Sequence, residues 1–137
     1  MDNLNFSLEF AGYWRYKRKG SVPKDPGLYC VYTCIYSGKR KSCSLQKLVY
    51  IGASEDVRAC IADHGRLDDW ESHIDTGEEL CFSFAPAGLE TLERLAAAMI
   101  FKHKPPENTV FKDSFPFDPT TLTLSGEAGF LSKSFTV

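Results

Sequence analysis

Three groups of side chains in this sequence have the types and spacing for chemistry. Cys60 and His64 stand at i and i+4 of a short helical pattern, on one face, which suits a metal pair or a thiol activated by an imidazole. No third ligand or orienting residue is evident beside them, so neither site is complete. Cys30 and Cys34 share one face of a strand-like run and could also pair on a metal. No further ligand pair at zinc spacing follows them, and buried thiols are the better reading. The run Asp68-Asp69-Trp70-Glu71-Ser72-His73-Ile74-Asp75 sets paired acids near a histidine, but a solvated helix face is much the commoner meaning of such a run. The third group is cationic. Gly38-Lys39-Arg40-Lys41 is the best local candidate for phosphate contact. Tyr13-Trp14-Arg15-Tyr16-Lys17-Arg18-Lys19 interleaves aromatic and basic residues, a composition that can stack on bases and hold phosphates. Its plainer reading is an arm whose aromatics cap the core while its charges face water.

The elements that must position these residues follow from periodicity and punctuation. Phe6, Leu8 and Phe10 alternate with polar residues as in a short edge strand or extended arm that Gly12 ends. Pro23-Lys24-Asp25-Pro26-Gly27 is a rigid turn into a strand over Leu28–Tyr36, rich in aromatic and β-branched residues. An exposed basic loop over Ser37–Gln46 separates it from a second strand, Leu48–Ile51, and the two pair antiparallel. Ser54 caps a short helix that Gly65 stops, and the acidic run after it makes a second short helix. Leu80, Phe82 and Phe84 mark a third strand. Leu89–His103 is the strongest helix, with Leu92, Leu95, Ala96, Met99 and Ile100 on its buried stripe and a Glu90–Arg94 ion pair outside; Pro105-Pro106 ends it. Thr120–Leu124 and Leu131–Val137 could form a small hairpin packed on the core.

Three short motifs recur in order through this frame: Gly27-Leu28-Tyr29, Tyr50-Ile51-Gly52 and Lys104-Pro105-Pro106-Glu107-Asn108. Together they resemble the GIY-YIG nuclease family over about residues 26–108. The resemblance implies an α/β fold: a small, mostly antiparallel three-stranded sheet flanked by helices, preceded by an arm over 1–25 and followed by an extension over 109–137. On this reading residues 1–137 are one domain, an expectation that the chain length also supports.

The same resemblance implies phosphodiester cleavage with one divalent metal, magnesium or manganese. In that chemistry a glutamate holds the metal, tyrosines position or activate water, and an arginine steadies the phosphate while negative charge develops. Tyr29 and Tyr50 match the motif tyrosines, and His64 matches a histidine common in the family. The family's arginine position falls on Cys60 and its metal-glutamate position on Ala96. Arg58 is the nearest substitute cation but is rotated from Cys60 by roughly 200° on a helix; Glu93 is the nearest carboxylate, roughly 60° around from Ala96. Two losses on different helices point to a retired active site in which Tyr29, Tyr50 and His64 are remnants, with no resident metal. The rival expectation is a working endonuclease with Arg58 and Glu93 in displaced roles.

The formal net charge of −2 excludes a protein that grips duplex phosphates with its whole surface, so any contact with DNA or RNA must be local, at Lys39, Arg40 and Lys41. The alternatives are a protein partner or a purely structural subunit. Met1–Asn5 has no basic region before an apolar core, and no apolar run reaches the length of a membrane span. The expected location is the cytoplasm, with no membrane partner. An odd number of cysteines without a Cys-x-x-Cys pair suits free thiols there.

Overall fold

A strand buried on both of its faces decides the architecture. In the computed structural model, which describes residues 4–63 and 65–137, the run Gly27–Ser37 forms strand β2 and is buried through residue 34 on both faces. A strand with two apolar faces needs a layer on each side. Leu28, Cys30, Tyr32 and Cys34 pack in one core cluster with Leu95, Ala98 and Met99; Tyr29 and Val31 pack in a second with Val57, Ile61 and Trp70.

β2 pairs antiparallel with β3 (Ser42–Ser54), from Gly27 opposite Ser54 to Ser37 opposite Ser42. Its other edge pairs antiparallel with β4 (Glu79–Pro86). Strand pairing thus continues far into the stretch expected to be a loop, because Cys43 and Leu45 pack on the core while Ser42, Ser44 and Gln46 face water. The basic residues Lys39, Arg40 and Lys41 lie in a tight turn at the hairpin tip, all exposed.

The expected three-stranded sheet flanked by helices is not what forms. Among the described residues the sheet has six strands in the order β3-β2-β4-β1-β5-β6; it is mixed and curled, and strand outweighs helix there, 41% to 24%. The difference lies in the two ends of the chain. Strand β1 (Leu4–Arg15) is neither an edge strand nor a loose arm: its first half pairs parallel with β5 (Thr120–Gly126) and its second half antiparallel with β4. Gly12 bends this strand where it was expected to end it. Its φ is +152°, and a Cβ there would stand 3.0 Å from the Phe82 carbonyl oxygen, so the strand turns from one neighbour to the next at a residue with no side chain. The C-terminal segments pair as expected, β5 with β6 (Ser134–Thr136), but as a continuation of the sheet rather than a hairpin laid upon it.

Helices are short. α1 (Val57–Ala62) is capped by Asp56, whose side chain accepts from the Ala59 N–H at 3.0 Å, while Ser54 Oγ accepts from the Asp56 N–H. α2 (Leu67–Glu71) buries Trp70. A 3-10 turn over Leu89–Thr91 leads into α3 (Leu92–His103), which ends at Lys104 in the left-handed conformation. Arg94 is not used in a pair with Glu90: it donates to Thr120 Oγ1 and the Asp118 carbonyl, each at 2.9 Å, and so ties α3 to β5. Among the described residues no helix is long and apolar enough to cross a membrane.

Candidate functional site

The two motif tyrosines do come together. A bulge in β3 sets Val49 and Tyr50 against the single residue Val31, so both contribute to the cluster that holds Tyr29. The Tyr29 and Tyr50 ring centroids are 6.2 Å apart, and Trp70 packs against both, at 6.5 and 5.4 Å. Gly52 is required by this packing, since a Cβ there would stand 2.4 Å from Cζ and the hydroxyl of Tyr29. Tyr29 is only 1% exposed, and its hydroxyl lies 3.4 Å from Cys60 Sγ on α1. Burial, reinforced by Cys60, pushes the Tyr29 phenol far above its ordinary value. Burial also raises Tyr50, against an opposing pull from the Arg66 guanidinium. Both phenols stay protonated near neutral pH, and neither can act as a base toward water.

Asn108 shows what the Lys-Pro ending does physically. Its side chain is buried and pairs with both backbone groups of Ile51: Oδ1 accepts from the N–H at 3.0 Å and Nδ2 donates to the carbonyl at 2.8 Å. This fastens the segment after α3 to the strand that carries Tyr50.

The substitutes named from sequence stand apart from the tyrosines. Arg58 Nε donates to the Val22 carbonyl at 2.6 Å, across to the segment before β2. Glu93 is exposed at the start of α3, and the buried stripe of that helix packs in the cluster on the opposite sheet face from Tyr29. Ala96 is 8% exposed and offers no oxygen to a cation. His64 lies outside the described residues. The described residues at these positions therefore do not make a divalent-metal site.

Other groups, missed in the sequence, surround Tyr50. Arg66 stands with its guanidinium carbon 5.5 Å from the Tyr50 ring centroid. Its Nη2 donates to Glu107 Oε1 at 3.0 Å, and His73 Nε2 is 2.5 Å from Glu107 Oε2, so the two carboxylate oxygens meet two different cationic or ring-nitrogen partners. Asp69 adds a weaker contact to Arg66 at 3.4 Å. His73 thus belongs to a side-chain network and not to a merely solvated face. One signal was available: Glu107 sits beside Asn108 in the third motif, which the chain must return to the Tyr50 strand.

The basic hairpin is remote from all of this. From Tyr29 to Ser37 the chain advances along β2 by roughly 26 Å, so the tyrosine pair and Lys39–Lys41 cannot grip one phosphate. At the hairpin end a cleft of about 540 Å³ opens, lined among others by Tyr13, Arg15, Arg18, Tyr36, Lys41 and Glu127. It brings the aromatic-basic segment and the hairpin, read separately in the sequence, to one place. No family model, curated protein or solved structure matches this chain.

Proposed function

We propose that this chain is a GIY-YIG-like module whose catalytic centre has been retired and which binds nucleic acid through phosphates at its hairpin end, as a cytoplasmic protein. One observation carries the reading: Tyr29, which the resemblance makes a residue that positions or activates water, is sealed in a core cluster with its hydroxyl 3.4 Å from the Cys60 thiol. A buried, protonated phenol packed on Trp70 stabilises the fold and has no access to a phosphodiester. Binding is assigned to the other end of β2 because Lys39, Arg40 and Lys41 are exposed together there.

Purified protein should leave single- and double-stranded DNA and RNA intact with magnesium or manganese, yet bind at least one of them, with affinity that falls as salt rises. The combined Lys39→Ala, Arg40→Ala and Lys41→Ala variant should lose most of that affinity. Undiminished binding by the variant at raised salt would remove the hairpin from the site, and no binding by the native chain would leave a protein partner as the better reading.

A displaced active site is the second reading, and the Arg66–Glu107–His73 network beside Tyr50 favours it over the Arg58 and Glu93 version. Metal-dependent cleavage by the native chain, abolished by Glu107→Gln and untouched by Glu93→Gln, would establish it. Any metal reaching Glu107 would compete with Arg66 and His73 for the same oxygens.

A further inference from the structure

The cleft at the hairpin end has a construction that the hairpin alone does not explain. Arg15 is held flat: Nε and Nη2 donate to the two oxygens of Glu79 at 2.7 and 2.8 Å, and the guanidinium carbon lies 3.6 Å from the centroid of the Tyr36 ring. A forked carboxylate on one edge and an aromatic ring on one face fix the plane of this guanidinium and balance its charge. What remains is a rigid flat platform that a planar group can cover. Arg18 and Lys41 are exposed on the same cleft and, among the described residues, carry no ion pair. They come from different elements, one from the 3-10 turn after β1 and one from the β2–β3 turn. Glu127 supplies an acceptor on the lining, and Ser21 and Ser42 supply hydroxyls.

We propose that this cleft binds a nucleoside phosphate, with the base on the Arg15–Tyr36 platform, the phosphate between Arg18 and Lys41, and Glu127 accepting from a sugar or base donor. The volume is in the range of small-ligand sites, roughly 300–1,000 Å³. A bare anion would leave the platform unused, an uncharged aromatic would leave both cations unused, and a duplex hides its base faces. The unit is therefore either a free nucleotide or one unstacked residue of a single strand. The strand form deepens the nucleic-acid reading and rests on it; the free form stands without it.

Calorimetric titration with adenosine 5′-monophosphate, inorganic phosphate and a short oligoadenylate tests the assignment. The monophosphate should bind at one site and inorganic phosphate at least about tenfold more weakly, the scale of one lost stacking contact. Arg18→Glu and Tyr36→Leu should each weaken the monophosphate about tenfold or more, and the exposed Arg18 leaves the unfolding temperature unchanged as a control on folding. Oligoadenylate much tighter than the monophosphate assigns the strand form, and equal affinity assigns the free form. Failure of both adenylates to bind, phosphate binding as tightly as the monophosphate, or indifference to Arg18→Glu would each overturn the cleft. Oligoadenylate binding that is lost in Lys39→Ala with Arg40→Ala but kept in Arg18→Glu would sink this inference while leaving the proposed function standing.

Discussion

The two ends of β2 carry similar side chains in opposite conditions. At the tyrosine end the polar groups are matched: Arg66 meets Glu107 and Asp69, His73 meets Glu107, and the Tyr29 hydroxyl meets Cys60. At the hairpin end Arg15 is held in an ion pair with Glu79, whereas Arg18 and Lys41 face an open cleft and, among the described residues, carry no ion pair. Ionisable and ring groups that are each bonded to another hold this end of the sheet together. Cations that are exposed and in no ion pair keep their capacity for an anion.

The largest expected effect follows from Trp70, which is fully buried between Tyr29, Tyr50 and Phe82. Trp70→Ala should cost about 3–5 kcal/mol of stability in denaturant unfolding, through lost burial and the cavity left behind. A loss below about 1 kcal/mol would mean that the tyrosine end is not a core, and its residues would again be candidates for chemistry. Asn108→Ala comes next. It strands a buried N–H and a buried carbonyl of Ile51 and should cost roughly 2–4 kcal/mol.

These two residues also mark how far the sequence could be read. Asn108 was visible in a motif, and the antiparallel pairing of β2 with β3 followed from alternation and a basic turn. Trp70 was not visible as core, because six of its seven neighbours in that run are polar and the period is too short to show a buried face. The place of residues 4–15 and 120–136 in the main sheet was not legible for a different reason. A strand's neighbours are set by backbone pairing over long separations, and nothing local in Leu4–Phe10 announces Thr120–Gly126 as its partner. Arg66 escaped notice because it follows a glycine that reads only as a helix stop, and its partner Glu107 lies far along the chain.

Tyr29→Phe separates core from chemistry at a smaller scale. The Tyr29 hydroxyl lies 3.4 Å from the Cys60 thiol, and removing one neutral hydrogen-bonding group should cost about 0.5–1.5 kcal/mol of stability and leave the proposed binding at the hairpin end intact. A catalytic or phosphate-contacting phenol would instead show its loss in cleavage or binding, with stability little changed. Thermal unfolding and a binding titration on the same sample distinguish the two.

The smallest effect concerns a histidine committed to structure as fully as the tyrosine end. His103, in the last turn of α3, is placed to donate from Nδ1 to the Met99 carbonyl at 2.8 Å and accepts at Nε2 from the Ser132 N–H at 2.9 Å. Accepting at Nε2 requires the neutral ring, and burial holds its pKa below the ordinary value of 6.5, helped by the nearby Lys102 charge. Because the folded pKa is depressed, the unfolded chain binds more protons in the interval between the two values, and stability rises with pH there. The contribution is complete above about pH 6.5 and is lost as pH falls toward the folded value, where protonation of Nε2 breaks the bond to Ser132 and loosens Phe135, whose ring stands 5.4 Å away. The unfolding temperature of the native chain should therefore decline between about pH 7 and pH 5 by more than that of His103→Gln, the other titrating groups being common to both. Parallel curves for the two proteins would show that His103 is already free to protonate, and the contact between α3 and the last strand would then not depend on its neutral form.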